Sequence, residues 1–427
     1  MTRITPGESR KRQSFPFSVS SFAASDDGRV IAGIKGSGSR SEVVLESRLE
    51  ALRSLLKASD SAVPTELTLC PDGCHLSVAV RTVEGREAHI FDTATGSRLR
   101  IVTGVGRTAV LISGCTLLAV DDSWPYAKVL EVPCAGGTMD SHTIDASVLA
   151  LLEDASGPLV HCTRPDHPPS VVRLAELIDQ AGSQDPPRHH AVTTRWGSLR
   201  VLTVPAADPV GDIVMLHGGP FGVWIPRWDP QMQLLTAHGY RVHQVEAPYT
   251  ASLRRAHTRF VPGDFGSKDV ESITDAVTAL ASQRPLLMYG FSYGGLLAAR
   301  TSARLPGIVN GVFLQSALWR SQDLQRLIDD GVPAPGDLRS FLAHAFPGGQ
   351  VHLPEVRLRA ELPTAVVHGT DDLIAPVDLV EAACAAAPEI VLTRLPGEGH
   401  IPRRASSVVQ ALHAMKTWLQ HCEGTLR

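Results

Sequence analysis

The sequence lacks a long apolar run and an excess of basic residues. No stretch approaches the roughly 18 consecutive apolar residues of a membrane-spanning helix, so no membrane association is expected. The chain has 40 basic and 44 acidic residues and a net charge of −4. This balance argues against a nucleic-acid partner, because such proteins present a basic patch or stripe. Residues 1–15 are charged and no apolar segment follows them, so no secretory signal is predicted.

Cysteine is scarce and scattered. The chain has seven cysteines in 427 residues. The odd number and the large size of the chain argue against a disulfide framework and favour a cytoplasmic protein. Cys70 and Cys74 flank a Pro-Asp-Gly turn, but no second pair follows at the spacing of a zinc site. Buried or edge thiols are the favoured interpretation, and we expect neither a metal nor another cofactor.

The two halves of the chain differ in pattern, which predicts two domains. Residues 15–185 contain short alternating apolar runs broken by turn residues, whereas residues 190–427 contain apolar strands that alternate with helical stretches. The polar, proline-containing segment 181–190 is interpreted as a linker. His189 and His190, at its end, are interpreted as linker residues and not as metal ligands.

The first half contains a weak repeat in which a glycine turn precedes an alternating run. The turn glycines Gly28, Gly73 and Gly114 recur every 40 to 45 residues. Glycine suits a hairpin turn because it accepts a positive φ. This spacing is typical of propeller blades, so we predict a small or truncated β-propeller-like domain of about four blades. Residues 44–59 fit either a helix or two strands, and the repeat favours two strands.

The second half alternates strands with helices from residue 212 to the C-terminus. Such alternation predicts a mostly parallel, doubly wound sheet covered by helices on both faces. A helical insertion is predicted at about 322–345. The predicted fold class is α/β, preceded by a small all-β domain.

A G-x-S-x-G sequence, residues 290–294, lies where a predicted strand meets a predicted helix. In this context it is typical of a nucleophile elbow, a sharp turn whose small flanking residues avoid steric clashes. The serine oxygen then stands at the helix N-terminus. Ser292 is the candidate nucleophile, and a glycine-rich turn without a catalytic role is the alternative.

A serine nucleophile requires a base and an orienting acid, which follow in the chain order Ser, Asp, His in this architecture. Asp371 and Asp372 follow one later predicted strand, and His400 follows another in a glycine-containing loop. His400 is the candidate base. The alternative is a loop histidine without a catalytic role.

An acyl-transfer site also needs backbone N–H donors for the oxyanion. One is expected from the residue after the nucleophile, and the other from a loop after an early strand. Tyr293 and Gly219 are the candidates. His217, which precedes the glycines of that loop, is expected to brace it by hydrogen bonding.

Five motifs together resemble the prolyl oligopeptidase family, with the acylaminoacyl-peptidase and dipeptidyl-peptidase branches most similar. They are HGGP at 217–220, GDFGSKDVESI at 263–273, GFSYGG at 290–295, HGTDDLIAP at 368–376 and GEGH at 397–400. The resemblance implies an α/β-hydrolase domain preceded by a β-propeller, which is shortened here. It also implies that Ser292, Asp372 and His400 form a triad and that Gly219 and Tyr293 form the oxyanion hole. The family's double-glutamate motif, which binds a free peptide N-terminus, is not found, so the resemblance does not identify how the substrate is recognised.

We therefore expect a serine hydrolase that cleaves amide bonds of short peptides through an acyl-enzyme. An esterase, or an acyl transferase or peptide cyclase of a biosynthetic pathway, is the first alternative. A non-catalytic propeller interaction protein is the second. Phe221, Trp224 and Trp319 are candidates for an apolar subsite, although core packing explains each equally well. The expected partner is a peptide or small acyl substrate, and a homo-oligomer is compatible with the sequence.

Overall fold

The computed structural model divides the chain into two compact units. Residues 1–164 and 169–185 form the first unit, and residues 165–168 and 186–427 form the second. The structure describes residues 19–425 except 37–39, 48–49, 60–61, 83–84, 107–108, 113–114, 122–126, 145, 155, 180–187, 220–221, 223, 248–265, 319–324, 326–328, 330–345, 347–349, 351–358, 360 and 388.

The first unit is built from consecutive antiparallel strands. The described strands form three four-stranded sheets and one three-stranded sheet, each in chain order. They are β1 Val19–Ala24, β2 Val30–Lys35, β3 Glu42–Ser47 and β4 Glu50–Lys57; β5 Ala62–Leu69, β6 His75–Thr82, β7 Gly85–Asp92 and β8 Arg98–Thr103; β9 Ala109–Ile112, β10 Thr116–Asp121, β11 Ala127–Pro133 and β12 Asp140–Ile144; and β13 Ser147–Asp154, β14 Gly157–Arg164 and β15 His167–Arg173. The expected small all-β domain is confirmed, and residues 44–59 lie mainly in strands β3 and β4.

Three apolar clusters pack each sheet against the next one in the chain. Ile34 and Leu76 belong to the cluster of the first two sheets. Ile90 and Leu117 belong to the cluster of the second and third sheets. A third cluster joins the third and fourth sheets and includes Leu177 of α1 (Leu174–Asp179), a short helix that the alternating pattern did not predict. The second and third sheets therefore each contribute to two clusters, and their inner strands β6 and β10 are mainly buried and apolar.

The repeated turns before β2 and β6 have the same hydrogen-bond pattern. In the first, Ser25 Oγ donates to Asp27 Oδ1 at 2.8 Å. In the second, Cys70 Sγ donates to Asp72 Oδ1 at 2.7 Å. The glycines of both turns, Gly28 and Gly73, have positive φ angles of 64° and 78°. The repeat detected in the sequence is therefore a repeat of local structure, set by an Asp side chain that bonds the turn and a glycine that permits it.

The second unit contains an eight-stranded sheet in the order β16-β17-β19-β18-β20-β21-β22-β23. Its strands are β16 Arg188–Thr194, β17 Gly197–Val204, β18 Gly211–Leu216, β19 Tyr240–Val245, β20 Leu286–Phe291, β21 Val309–Gln315, β22 Thr364–Gly369 and β23 Val391–Leu395. β16 pairs antiparallel with β17, and β17 pairs antiparallel with β19. All the other pairs are parallel, so the expected mostly parallel sheet is confirmed.

His189 and His190 lie in the edge strand β16, and the interpretation of these residues as linker was wrong. A two-residue turn, Arg195 and Trp196, joins β16 to β17 as a hairpin. The sequence pattern missed this hairpin because polar residues of an edge strand resemble those of a linker.

Helices cover both faces of the sheet. They are α2 Pro230–Ala237, α3 Ser267–Leu280, α4 Tyr293–Arg304, α5 Val377–Ala385 and α6 Ala405–Thr425. Along β18, Val214 and Leu216 pack into one core cluster, whereas Ile213 and Met215 pack into the other. This alternation of two buried faces is typical of a doubly wound sheet. The predicted helical insertion at 322–345 falls almost entirely outside the described residues. Among the described residues, no helix is both long and apolar enough to cross a membrane.

Candidate active site

Ser292 lies in the turn between β20 and α4, and its backbone is strained. Its φ is 52° and its ψ is −117°, a conformation that a residue with a Cβ rarely adopts. A Cβ added to Gly290 would stand 2.6 Å from the Cα of Gly295, and one added to Gly295 would stand 2.5 Å from the Cβ of Ala317. The glycines of the motif are therefore required by the tight packing of the turn, which presents Ser292 at the N-terminus of α4.

His400 links the serine to a carboxylate. Its Nε2 lies 2.8 Å from Ser292 Oγ. Its Nδ1 lies 2.8 Å from Asp372 Oδ2. Because the carboxylate can only accept, Nδ1 carries the proton in this arrangement, and Nε2 is left to accept the serine hydroxyl proton. The structure thus brings together Ser292, Asp372 and His400 across residues that are far apart in the chain.

Asp372 is held in place by donors on both of its oxygens. The N–H groups of Ile374 and Ala375 donate to its Oδ1 at 2.8 and 2.9 Å. His368 Nε2 lies 3.3 Å from its Oδ2. Burial by itself raises the pKa of Asp372, but the hydrogen bonds from His368 and His400 outweigh it and hold that pKa well below its usual range. The carboxylate therefore stays ionised at neutral pH, whereas its neighbour Asp371 is exposed.

Close packing of two loops aligns Asp372 with His400. Asp371 N donates to Glu398 O at 2.9 Å. A Cβ at Gly369 would stand 2.5 Å from the carbonyl oxygen of Gly399, so only glycine lets the loops approach. The buried carboxylate of Glu398 accepts from the N–H groups of Arg403 and Arg404, each at 3.0 Å. Glu398 thus shapes the loop that carries His400, a role that the sequence analysis missed.

The loop after β18 lies beside the elbow. A Cβ at Gly218 would stand 3.3 Å from Ser292 Cβ, so the backbone of this loop runs next to the serine. His217 Nδ1 donates to Gly218 O at 2.7 Å. Burial lowers the pKa of His217 to about 4, so its ring is neutral at physiological pH. Gly219 follows in this loop and is partly exposed.

Tyr293, the residue after the elbow serine, anchors the elbow through its side chain. Its hydroxyl donates a hydrogen bond to Asp269 in the first turn of α3. Asp269 is fully buried, and its other oxygen, Oδ1, has no hydrogen-bond partner in the described structure. Burial raises the pKa of Asp269 to about 7, although the bond from Tyr293 opposes the shift. The sequence analysis quoted this aspartate within a family motif but assigned it no role.

Comparison with known proteins agrees with this architecture. The family model described as "alpha/beta hydrolase fold" matches residues 212–349. The second unit has the alpha/beta hydrolase fold. No curated protein matches the chain in sequence.

Solved structures match almost the whole chain at low sequence identity. The crystal structure of a puromycin hydrolase is similar with a TM-score of 0.69 and 18% identity, over 94% of this chain and 69% of that chain. A prolyl endopeptidase structure has a TM-score of 0.64 and 15% identity, over 94% and 65%. A puromycin-hydrolyzing peptidase from Mycobacterium tuberculosis has a TM-score of 0.54 and 16% identity, over 92% and 77%. The small all-β unit followed by the hydrolase unit is therefore the arrangement of prolyl oligopeptidase-type structures.

Of the three residues that the sequence suggested for an apolar subsite, the structure describes one. Phe221 and Trp319 lie outside the described residues. Trp224 is buried, its Nε1 donates to Val245 O at 3.1 Å, and it belongs to an apolar core cluster, which favours the core-packing alternative over a substrate wall. Phe291 was not considered as a site residue, yet its ring centroid lies 5.6 Å from that of His400. Its position inside the G-x-S-x-G motif was the signal available in the sequence.

Proposed function

We propose that this alpha/beta hydrolase is a serine peptidase of the prolyl oligopeptidase type that cleaves amide bonds of short peptides through an acyl-enzyme. The observation that carries the proposal is the unbroken hydrogen-bond chain from Asp372 through His400 to Ser292, with 2.8 Å at each link. A serine hydroxyl is a weak nucleophile, and an adjacent base is what activates it.

In the proposed mechanism, His400 Nε2 takes the Ser292 proton as Oγ attacks the carbonyl carbon of the scissile bond. Asp372, ionised because its hydrogen bonds outweigh its burial, stabilises the imidazolium and holds Nδ1 protonated. His400 then gives its proton to the leaving amine as the C–N bond breaks. A water molecule, activated by the same base, hydrolyses the ester to Ser292.

The oxyanion of each tetrahedral intermediate is stabilised by the backbone N–H groups of Tyr293 and Gly219. Two observations support this assignment. The Tyr293 N–H lies at the N-terminus of α4, where the helix dipole favours negative charge. The loop that contains Gly219 runs beside Ser292, with its preceding glycine in contact distance of the serine. Neutral His217 braces that loop without adding a charge to the site.

The substrate class rests on resemblance and on chemistry. The similar structures include a puromycin hydrolase, a puromycin-hydrolyzing peptidase and a prolyl endopeptidase. A base that protonates its leaving group suits an amine, which departs poorly unless protonated. We therefore propose short peptides and aminoacyl amides as substrates, with puromycin as the first compound to test. The cytoplasmic location stays a prediction from cysteine usage.

Covalent labelling tests the mechanism directly. A fluorophosphonate probe should label the wild-type protein at Ser292 and should not label Ser292→Ala. Ser302→Ala, which changes a buried serine near the end of α4 remote from the elbow, is the matched control and should label normally. Equal labelling of wild type and Ser292→Ala would rule out Ser292 as the nucleophile.

A substrate comparison tests the peptidase assignment separately. Rates are measured on a peptide library by mass spectrometry, on puromycin, and on matched peptide-anilide and ester pairs with and without an added amine. Turnover of peptides or aminoacyl amides supports the proposal. Turnover of esters alone, or amine capture of the acyl group in preference to water, would instead identify an esterase or an acyl transferase.

A further inference from the structure

The first unit contains a cluster of side chains that could ligate a metal, formed by Cys70, His75 and Cys115. Each residue offers one ligand atom, and these three atoms all lie within 4.8 Å of one another. His75 Nδ1 lies 3.1 Å from Cys115 Sγ. Cys70 is buried, and the other two are partly buried. Cys115 is distant in the chain and reaches the cluster from the turn before β10, whereas Cys74, which is near Cys70 in the sequence, does not belong to the cluster.

We propose that Cys70, His75 and Cys115 bind a zinc ion. Two thiolates and an imidazole are a common zinc ligand set. Zinc–sulfur bonds of about 2.3 Å and zinc–nitrogen bonds of about 2.0–2.1 Å place tetrahedral ligand atoms roughly 3.5–3.8 Å apart. The separation of 3.1 Å between His75 Nδ1 and Cys115 Sγ lies just below this range, and the limit of 4.8 Å on all three separations lies above it, so the three groups are close enough to surround one ion. Binding replaces the two thiol protons with the metal, and the protons pass to solvent.

The repeated turn of the first sheet makes the same contacts with a serine at the position of Cys70. In that turn, Val30 N donates to Ser25 Oγ at 3.1 Å. In the second, His75 N donates to Cys70 Sγ at 2.9 Å. The second turn therefore has the same backbone as the first but carries Cys in place of Ser and His in place of Val. Both replacements introduce a metal ligand, and both point to the same cluster.

Cys115 gives an independent indication of a functional constraint. Its φ is +57°, a conformation that is uncommon for a residue other than glycine. Its carbonyl oxygen accepts from Cys134 N at 2.9 Å, which fixes the turn in which it lies. Strained backbone is retained where the surrounding structure requires it, and such positions concentrate at ligand and functional sites. In this conformation the Cys115 thiol lies against the His75 ring.

Asp72 lies next to Cys70 and is the candidate for the fourth coordination position. Asp72 is exposed, and its Oδ1 lies 2.7 Å from Cys70 Sγ. A carboxylate at this distance can complete the tetrahedron or hold a water molecule that does so. Because Cys70 and His75 belong to the second sheet and Cys115 to the turn entering the third, the bound ion would cross-link consecutive sheets of the first unit.

Metal titration of the full-length chain tests the proposal. The reduced protein, stripped by a chelator, is titrated with Zn²⁺ and with Co²⁺, following bound metal and the thiolate-to-cobalt charge-transfer absorption. We expect one equivalent of metal per chain and a thiolate band. Cys70→Ser, His75→Val and Cys115→Ser should each weaken binding by at least the roughly 10- to 100-fold known for the loss of an outer-shell partner. Cys162→Ala, a buried thiol of the fourth sheet, should bind as wild type.

Cys70→Ser and His75→Val introduce the residues that the first turn has at the same positions, so both variants are expected to fold. Thermal unfolding in the absence of metal checks this expectation. Zinc should raise the unfolding temperature of the wild type and not that of Cys115→Ser. The proposal is overturned by the lack of a thiolate band in the wild type, or by equal metal binding in the variants. A Cys70–Cys115 disulfide in the untreated protein, detected as a loss of two hydrogen masses, would overturn it as well.

Discussion

The hydroxyl of Tyr293 donates a hydrogen bond to the buried carboxylate of Asp269. This bond ties the residue after the elbow serine to the first turn of α3. Arg300, on α4, completes the connection, since its Nη1 donates to Gly266 O at 2.9 Å at the N-terminus of α3. The backbone of Tyr293, proposed as an oxyanion donor, is thus tied through buried side chains to the start of α3.

Asp269→Asn should reduce the loss of folding stability that occurs as the pH rises. Burial raises the pKa of Asp269 from 3.8 to about 7. Between these values the native state binds a proton that the unfolded state has released, so stability from this group is lost as pH rises through that window. An amide cannot ionise, and it still accepts from Tyr293.

Urea unfolding of wild type and Asp269→Asn at pH 5 and pH 8 measures this effect. Relative to wild type, the variant should gain stability at the higher pH. A difference in the free energy of unfolding that does not change with pH would contradict a raised Asp269 pKa.

Ser292→Ala should retain the fold and lose activity by at least about 10⁴-fold, because nucleophile and base act as a unit. Ser292→Gly should be equally inactive but more stable than Ser292→Ala by about 1 kcal/mol, since the positive φ of 52° strains any residue with a Cβ. Peptidase rates and thermal unfolding of both variants check the two statements. A Ser292→Gly variant no more stable than Ser292→Ala would show that the elbow is not strained.

Substitutions of the adjacent residues Asp372 and Asp371 should have different effects on turnover. Asp372→Asn should lower turnover by roughly 10⁴-fold, because an amide holds His400 in the wrong tautomer. Asp371→Asn, the matched control, should lower it by less than about tenfold, since the exposed Asp371 carboxylate accepts from the neighbouring Thr370 Oγ1 at 2.9 Å and its backbone N–H bond to Glu398 is unaffected by the substitution. Steady-state kinetics of both variants decide the assignment. Reversed effects would make Asp371 the orienting acid.

His368 is expected to act as a positioning residue. Its Nε2 lies 2.7 Å from Ala375 O and 3.3 Å from Asp372 Oδ2. His368→Phe should raise the pKa of Asp372 and lower kcat by up to about 100-fold, the scale of a misplaced catalytic group. His413→Phe, an exposed histidine of α6, should leave activity unchanged.

The pH profile separates this role from a merely structural one. The acidic limb of kcat/KM should move to higher pH in His368→Phe. The Asp372 carboxylate loses a hydrogen bond that favours its ionised form, and only the ionised form supports His400. A variant with lower activity but an unmoved profile would show that His368 only supports the fold.

Local patterns in the sequence were sufficient for most elements of the second unit. The strand that ends at Phe291 and the helix that begins at Tyr293 lie where the motif predicts them, because strand, turn and helix signals are all contained in a few consecutive residues. The expected two strands within residues 44–59 also formed, although the leucine spacing there fits a helix. Sheet pairing outweighs local propensity in such a segment.

Other parts of the molecule could not be predicted from local pattern. The hairpin of β16 and β17 has polar residues that resemble a linker, and only its pairing with β19 makes it part of the sheet. Burial of Trp224 in the core is likewise a property of the packed unit. An aromatic residue near a glycine-rich loop has the same sequence signature whether it lines a pocket or fills the core.

By itself, the sequence determined the fold class, the elbow at Ser292 and the order of the residues that follow it, since each depends on short-range pattern or on spacing along the chain. Only the tertiary structure decided which groups meet across distance. It bonded Tyr293 to Asp269, and it brought Cys115 to Cys70 and His75. These contacts join residues from different strands, helices and loops, and their formation depends on how those elements pack, which no local pattern encodes.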